Sequence, residues 1–239
     1  MYKTTVIIPV FNECETITRT LSAVCDFAKA NPDYYFLFVN DGSKDNTAEI
    51  IRNNIIGIPN ISFLDLKENK GKASALKSAV DILDTDYICF TDGDLAYSLN
   101  HLFLLVEALE NYEVVIGNRN LGEKNIRNIK RIIAGEAFNR MVRVILNLNI
   151  TDTQAGIKGF RKEAAKELFT LNRIKNFAFD AELLYVAKLK GYRIGQIPAK
   201  VNEFHQKRPS TVKVFYHSPI MFVSLFKIIF NRIIGRYGK

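Results

Sequence analysis

Cysteine is scarce in this chain, and the few cysteines are not clustered. Cys14, Cys25 and Cys89 show no C-x-x-C spacing among the 239 residues, so the sequence predicts neither a disulfide framework nor a zinc knuckle. The chain also lacks an uninterrupted apolar run of about 20 residues, the length that a membrane span requires. Residues 1–3 lead directly into the first predicted strand, so we expect no signal segment and a reduced, cytosolic setting.

Acidic residues are absent after Glu203, and seven of the eight net positive charges fall in that last stretch. This asymmetry predicts a local anionic partner rather than a generally basic protein. Residues 220–234 are rich in Phe and Ile but include Lys227 and Arg232. On a helical wheel most of the aromatic and Ile side chains lie opposite the polar ones, which predicts an amphipathic helix in a membrane interface over 213–239. A helix that packs on the core of the protein is the alternative.

Strand-like and helix-like segments alternate along the first half of the chain. The predicted strands are Thr5–Pro9, Tyr35–Asn40, Ile61–Asp65, Tyr87–Thr91 and Val114–Ile116. The predicted helices between them are Glu15–Ala30, Asp45–Asn54, Lys72–Leu83 and Leu99–Leu109. This alternation predicts βαβ units and a mainly parallel sheet. Residues 126–148 predict a further helix that is both basic and apolar.

Residues 87–95 contain the most informative pattern of the chain. A buried strand, Tyr87–Phe90, is followed by Asp92 and Asp94, which are separated only by Gly93. Ligands of open α/β sheets bind at the carboxyl ends of the strands. Two carboxylates there can give Mg²⁺ or Mn²⁺ two hard oxygens and leave positions for water and a diphosphate. A solvated turn is the alternative interpretation, because Asp and Gly are common turn residues.

Six further segments follow predicted strands or lie beyond them, in a characteristic order. They are Val6–Glu13, Val39–Ser43, Asn69–Lys72, Gly117–Arg119, Asp152–Lys158 and Phe177–Leu184. Together with residues 87–95 they resemble the family-2 inverting glycosyltransferases across about residues 4–212. Within that family the resemblance is closest to the polyprenyl-phosphate glycosyltransferases, and the last two segments look most like the dolichyl-phosphate glucosyltransferase branch. The resemblance implies a GT-A (Rossmann-like) α/β domain over 1–212, a mostly parallel sheet flanked by helices, with C-terminal amphipathic helices.

The resemblance also implies roles for individual residues on the donor side. The nucleotide-binding residues would be Pro9, Phe11, Glu13, Asp41, Lys70, Lys72 and Gly93. Asp92 and Asp94 match the metal-binding pair, so Mg²⁺ or Mn²⁺ is the implied cofactor. The implied catalytic residues near the sugar and the metal are Asp92, Asp94, Asp152, Gln154 and Asp180. Ala96 is a departure, because mannosyl-transferring relatives place a glutamine there as a further metal contact; this argues against GDP-mannose as donor.

The charge of the acceptor indicates which residues the acceptor side of the site requires. A lipid phosphate is already an anion at pH 7, so it needs no general base to act as a nucleophile. It does need basic groups that orient it, and guanidinium groups bind phosphate oxygens in bidentate fashion. The resemblance implies Arg119, which matches the family's post-strand arginine, and Lys207 and Arg208, which look like its C-terminal phosphate-binding loop, as acceptor-phosphate contacts. Arg127 and Arg131, on the basic helix, are further candidates. Arginines that are merely solvated, or that attract anionic lipid headgroups in general, are the alternative.

These inferences combine into one functional prediction. We expect a metal-dependent inverting enzyme, peripheral on the cytoplasmic face of the membrane, that moves glucose from UDP-glucose onto a polyprenyl or dolichyl phosphate. The expected partners are a UDP-hexose, the lipid phosphate and the membrane surface; an oligomer is left open. No nucleic acid is expected, because a basic nucleic-acid module would not explain Asp92 and Asp94.

Two enzymatic alternatives make different demands on the sequence. Transfer to a sugar hydroxyl of a polysaccharide or teichoic-type acceptor needs a general base, for which Asp180 and Asp152 are the candidates. A sugar-nucleotide pyrophosphorylase would open with a glycine-rich phosphate loop after the first strand. Residues 9–13 contain no glycine, which excludes that class.

Overall fold

Seven strands form one sheet in the computed structural model of the protein, which describes residues 2–121, 138–202 and 214–238. The strands are β1 (Thr4–Val10), β2 (Tyr34–Asp41), β3 (Ile61–Leu66), β4 (Tyr87–Phe90), β5 (Val114–Asn118), β6 (Lys158–Arg161) and β7 (Ile194–Pro198). Their order across the sheet is β3-β2-β1-β4-β6-β5-β7. All neighbours pair in parallel except β6, which runs antiparallel to β4 and β5. The predicted mostly parallel α/β sheet is therefore confirmed.

Helices cover both faces of the sheet. They are α1 (Ile17–Ala30), α2 (Thr47–Asn54), α3 (Lys72–Ile82), α4 (His101–Leu109), α5 (Lys162–Leu171), α6 (Phe179–Leu189) and α7 (Val214–Ile233). The strands and helices predicted for the first half agree with the structure to within two residues at each end. Of the helix predicted over 126–148, the structure describes a helical segment at 138–145.

Successive residues of β1 contribute to two different cores, as the alternation of side chains along a strand requires. Ile7 packs with α3, α5, α6 and the inner side of α7. Val6 and Ile8 pack with α1, α2 and α4 on the opposite face. A central strand buried on both faces has a continuous apolar sequence, which is why the strands of the first half were predictable.

The topology gathers the chemically informative loops at one edge of the sheet. The parallel strands β1, β2, β4 and β5 all end there. Since β6 is antiparallel, its first residue lies at the same edge, and Phe90 of β4 pairs with Lys158 of β6. The loops that follow the parallel strands therefore meet the 152–157 loop that precedes β6.

Helix α7 packs on the core through one face and exposes another. Leu225 and Ile228 are fully buried, and the polar residues Ser224 and Asn231 are buried beside them. The opposite face, here named the α7 outer face, consists of Phe222, Val223, Phe226, Phe230 and Ile233, which are 39–75% exposed. No helix in the described part of the chain has the length and apolarity needed to span a bilayer.

Candidate active site

The loops after β1 and β2 are joined by hydrogen bonds between backbone and side chains. The backbone N–H of Asn12 donates to Ser43 Oγ (2.8 Å), and the N–H of Lys44 donates to Asn12 Oδ1 (2.8 Å). The N–H of Glu13 donates to Thr47 Oγ1 (2.8 Å). Asn12 adopts a positive φ of 52°, which Asn tolerates better than most residues. The predicted nucleoside loop is thus held in one shape by its neighbour.

Phe11 lies on this loop and is 41% exposed, and its predicted packing on a base stays a prediction. Below it, Gly93 approaches the end of β1 closely. A Cβ on Gly93 would lie 2.9 Å from the carbonyl oxygen of Pro9, and Thr20 Oγ1 donates to the Gly93 carbonyl (2.7 Å). The turn between the two aspartates is therefore packed directly against the end of the first strand.

Asp41, at the end of β2, is buried and holds the loop that precedes α3. Its Oδ1 accepts from the N–H of Lys70 (2.9 Å), and its Oδ2 accepts from the N–H of Gly71 (2.8 Å). Gly42 is positioned so tightly that a Cβ would lie 2.6 Å from the backbone N of Asn69. Asp41 therefore fixes the position of the basic loop, and base recognition by Asp41 stays a prediction.

Asp92 is paired with Lys72, the first residue of α3, whose ammonium donates to Asp92 Oδ1. Burial opposes a charge on Lys72, but the carboxylates of Asp92 and Asp180 raise its pKa above the ordinary value. On the other side, Gly156 lies so close that a Cβ would come within 1.7 Å of Asp92 Oδ2. The Asp92 carboxylate is therefore held between a cation and a glycine backbone.

Asp94 accepts a hydrogen bond from the N–H of Ala96 at Oδ1 (3.1 Å). It lines a cavity of about 480 Å³ between α1 and the 94–99 loop. That loop is tied to the segment after β7, because Asn202 donates its N–H to the Ala96 carbonyl (2.8 Å) and its amide to the Leu95 carbonyl (2.8 Å). Asp94 is thus placed by a hydrogen-bonded turn.

The carboxylates of Asp92 and Asp94 suit a hard divalent cation. Asp92 is partly exposed, with 36% of its side chain accessible, and Asp94 faces the cavity. No cluster of three His, Cys, Asp or Glu side chains that could hold a metal occurs among the described residues. In nucleotide sites Mg²⁺ is usually bound by one or two carboxylates, and water and phosphate oxygens fill its remaining coordination positions. Two aspartates fit that set of ligands.

Arg119, just after β5, and Asp152 form a bidentate ion pair. Arg119 Nε donates to Asp152 Oδ2 (2.7 Å), Nη2 donates to Oδ1 (2.7 Å), and the backbone N–H of Arg119 also donates to Oδ2 (2.9 Å). Burial opposes ionisation of Asp152, yet the hydrogen bonds from Arg119 lower its pKa. Gln154, two residues on, is half-buried with its backbone N–H 3.3 Å from Asp152 Oδ1.

Asp180, at the N-terminus of α6, meets Lys158, which sequence reasoning did not single out. Lys158 is fully buried, and its ammonium donates to Asp180 Oδ1 (2.6 Å) and to the Ala155 carbonyl (2.6 Å). Burial lowers the pKa of Lys158, and the Asp180 carboxylate offsets part of that effect. No local sequence pattern marked Lys158, because its partner Asp180 lies 22 residues later in the chain.

Glu182 points away from Asp180 and organises the loop before α6. Its Oε2 accepts from the N–H groups of Arg173 and Ile174 (both 2.7 Å) and from the Asn172 amide (2.7 Å). Its Oε1 accepts from the hydroxyl of Tyr237 (2.5 Å), near the end of the chain. Burial raises the pKa of Glu182, although these donors oppose the shift. The contact joins residues 55 positions apart, which no local sequence pattern could predict.

The structure brings together the predicted residues of the nucleotide loops, the aspartate pair and the 152–180 region. Three carboxylates of this edge each face a cationic partner: Asp92 with Lys72, Asp152 with Arg119, and Asp180 with Lys158. The remaining acceptor candidates, Arg127, Arg131, Lys207 and Arg208, lie outside the described residues.

The chain is similar in sequence to known glycosyltransferases. The family model for glycosyl transferase family 2 matches residues 5–169. A dolichyl-phosphate beta-glucosyltransferase of Trichomonas vaginalis is 31% identical over 84% of this chain, which spans 64% of that relative's length. A dolichyl-phosphate beta-glucosyltransferase of Dictyostelium discoideum is 28% identical over 96% of this chain and 75% of its own length. The predicted resemblance to this branch is confirmed.

Solved structures show the same fold. The glucosyl-3-phosphoglycerate synthase of Mycobacterium tuberculosis, in complex with UDP, superposes with a TM-score of 0.68 at 18% identity, over 94% of this chain and 80% of the synthase. The mannosyltransferase of Pyrobaculum calidifontis, in complex with GDP-Man and Mn²⁺, gives a TM-score of 0.61 at 18% identity, over 98% of this chain and 64% of that protein. With a GT-A sheet, an ordered set of loop motifs and a family match over residues 5–169, the chain belongs to glycosyl transferase family 2.

Proposed function

We propose that this protein transfers a glucosyl group from UDP-glucose to a polyprenyl or dolichyl phosphate, with inversion at the anomeric carbon. The observation that carries the proposal is the pairing of Asp92, Asp152 and Asp180 with cationic side chains. A hydroxyl acceptor needs a base to remove its proton, whereas a phosphate anion does not. The names of the Trichomonas and Dictyostelium relatives support the same acceptor class.

On the donor side, the loops after β1 and β2 would hold the nucleoside. Phe11 offers an exposed ring for the base, and Glu13 offers a carboxylate for a ribose diol. Lys70 is exposed beside Asp41, while Lys72 lies deeper beside Asp92. Both lysines could meet the negative charge that develops on the departing UDP, which is the largest electrostatic change of the reaction.

Asp92 and Asp94 would hold Mg²⁺ or Mn²⁺. When bound, the ion would neutralise the diphosphate leaving group. The complexes of the mycobacterial synthase and the Pyrobaculum mannosyltransferase with Mn²⁺ support a divalent cation. Ala96 gives no side-chain ligand, and its backbone N–H instead orients Asp94.

On the acceptor side, Arg119 would orient the lipid phosphate together with Arg127, Arg131, Lys207 and Arg208. In the structure Arg119 is engaged by Asp152 through two parallel N–H···O bonds. Asp152 thereby fixes the plane of the guanidinium. Gln154 remains the proposed polar contact to the sugar, because it is half-buried beside this pair.

The α7 outer face would bind the cytoplasmic surface of the membrane that carries the acceptor. Polar residues of α7 turn inward and are satisfied there, since Asn176 Nδ2 donates to Ser224 Oγ (2.8 Å). Aromatic and aliphatic residues turn outward, beside the exposed Lys227 and Arg232. This arrangement fits an anionic bilayer, because apolar insertion and attraction of basic residues act in the same direction.

The double variant Phe226→Glu/Phe230→Glu is expected to lose binding to anionic vesicles. Burial of one Phe side chain contributes about 1.5–3 kcal/mol, and the added carboxylates are repelled by the surface, so we expect at least a tenfold loss. Sedimentation with phosphatidylserine-containing vesicles measures it. Transfer to a long-chain lipid phosphate should fall with binding, while transfer to a short, water-soluble analogue should survive.

A matched control is Ile56→Glu/Ile82→Glu, which adds the same charge at exposed positions (80% and 63%) away from α7. Deletion of α7 is not a clean test, because Leu225, Ile228 and Tyr237 belong to the core. Equal sedimentation of the α7 variant and the control would show that the membrane contact lies elsewhere.

A panel of radiolabelled nucleotide sugars, each incubated with polyprenyl phosphate, tests the proposed donor. UDP-glucose is expected to give lipid-extractable label, and GDP-mannose is expected to give little. Label from GDP-mannose above that from UDP-glucose would overturn the donor assignment.

A further inference from the structure

We propose that Lys158 is a specificity-determining residue: its ammonium pairs with the Asp180 carboxylate and so makes Asp180 a poor general base for water and other hydroxyl nucleophiles. The inference rests on the proposed function and deepens it. This role of Lys158 would allow a site that contains several carboxylates to bind an activated sugar without hydrolysing it.

The geometry around Lys158 is that of a built ion pair. The ammonium lies 2.6 Å from Asp180 Oδ1 and 2.6 Å from the Ala155 carbonyl oxygen, and the side chain is fully buried. The Lys158 ammonium also lies 5.5 Å from the centroid of the Phe90 ring, and the Lys72 Nζ lies 5.3 Å from the same centroid. A cation enclosed in this way has few other positions to adopt, so one oxygen of Asp180 stays engaged.

Asp180 is close enough to the reacting groups for this engagement to matter. The ring of its neighbour Phe179 lies 6.0 Å from the Nζ of Lys72, and the Lys72 ammonium pairs with Asp92. Asp180 therefore follows directly a residue that lies beside a lysine proposed to contact the diphosphate. An unpaired carboxylate there could accept a proton from a water molecule that attacks the sugar.

Three further carboxylates of the site have contacts of their own. Asp152 is bound in bidentate fashion by Arg119, and Asp92 is paired with Lys72. Asp94 is oriented by a backbone N–H. His101, on α4, has Nδ1 2.8 Å from the Ser98 carbonyl oxygen, and its Nε2 accepts from the N–H of Lys200 (3.2 Å). Lys158 thus completes a pattern in which carboxylates serve as counter-ions or metal ligands.

Transfer to the lipid phosphate and hydrolysis by water differ in whether the nucleophile must lose a proton. In transfer, an oxygen of the lipid phosphate bonds to the anomeric carbon, the bond from that carbon to the diphosphate oxygen breaks, and UDP leaves with the electron pair. In hydrolysis, a water oxygen forms the same bond and the same bond breaks, but a proton must leave the water. Asp180 would accept that proton when the Lys158 ammonium is no longer paired with it.

The test compares hydrolysis of UDP-glucose without acceptor against transfer to polyprenyl phosphate. A general base contributes about 10²–10⁴-fold, so Lys158→Met is expected to raise acceptor-free hydrolysis by at least about tenfold. The double variant Lys158→Met/Asp180→Asn is expected to return hydrolysis to the wild-type level. Lys190→Met is the matched control, because the Lys190 ammonium pairs with Glu167 (3.1 Å) on α5, remote from the aspartate pair.

Two results would overturn the proposal: hydrolysis by Lys158→Met that is no faster than wild type, or equal hydrolysis by the single and double variants. If the Met variant does not melt cooperatively, Lys158→Gln replaces it, because glutamine keeps a donor for the Ala155 carbonyl and has no charge. The pH profile of wild-type transfer gives a second measurement. It should follow only the second ionisation of the acceptor phosphate, near pH 6, and an ascending limb that Asp180→Asn abolishes would contradict the proposal.

The same experiment separates this inference from the proposed function. Hydrolysis is measured without lipid, so a failure of wild-type enzyme to label the lipid phosphate rejects the acceptor and leaves the Lys158 comparison intact. Asp180→Asn alone should keep measurable transfer. A loss of several orders of magnitude with intact fold and substrate binding would make Asp180 the base and overturn the role of Lys158.

Discussion

Replacement of Asp92 by asparagine is expected to abolish turnover while leaving the protein folded. Asparagine has the size of aspartate, so it still fits beside Gly156. That contact is close, because a Cβ added to Gly156 would lie 1.7 Å from Asp92 Oδ2. Asparagine lacks the charge that would hold Mg²⁺ or Mn²⁺ and that now balances Lys72. Metal stabilisation of a leaving diphosphate contributes several kcal/mol, so we expect a loss of roughly a thousandfold or more. EDTA should have the same effect on the wild type.

Turnover with Mn²⁺ and a thermal melt on the same preparation measure the Asp92 effect. Asp84→Asn is the control, since the exposed Asp84 pairs with Lys162 at the opposite edge of the sheet, before β4 and after β6. Full activity of wild-type enzyme in EDTA would refute the metal assignment.

Replacement of Gly156 by alanine is expected to reduce turnover by at least about a hundredfold, because the new methyl group and the Asp92 carboxylate cannot share the same space. The carboxylate would have to turn away, and a displacement of about 1 Å in a catalytic group is enough for a loss of that size. Binding of uridine, which has no diphosphate, should change little, because the loops after β1 and β2 are held by their own hydrogen bonds. Turnover and uridine affinity by calorimetry are the two measurements.

Gly195→Ala is the matched control for Gly156→Ala. It also introduces a clash, with the Tyr112 ring at 2.6 Å, but on β7 and away from the aspartates. Wild-type turnover by Gly156→Ala would mean that Asp92 does not depend on this contact.

The first half of the fold was predictable because burial on both sides of the sheet leaves its strands apolar and bounded by polar loops. The aspartate pair was predictable for the same reason, since it follows β4 directly. Strand β6 was not predicted. Its sequence Lys158–Arg161 begins and ends with a cation, and nothing in the sequence indicates that Lys158 is neutralised by Asp180, 22 residues later.

The orientation of α7 needed the structure as well. A helical wheel separates Ser224 and Asn231 from the aromatic residues but does not say which side meets the protein. The structure buries the polar side, because Asn176 satisfies Ser224 and the hydroxyl of Tyr237 lies 3.5 Å from the Asn231 amide. The inward orientation of the polar side involves hydrogen bonds with Asn176 and Tyr237, and a pattern of hydrophobicity contains no information about them.

The most direct test of the central claim is the choice between a phosphate and a hydroxyl acceptor. Full-length enzyme, radiolabelled UDP-glucose and Mn²⁺ are incubated with either polyprenyl phosphate or the matching polyprenol, and the label in the organic phase is counted. Because Asp92, Asp152 and Asp180 are each paired with a cationic side chain, we predict label with the phosphate and none above background with the alcohol. Label on the alcohol, or on an added polysaccharide but not on the lipid phosphate, would contradict the account.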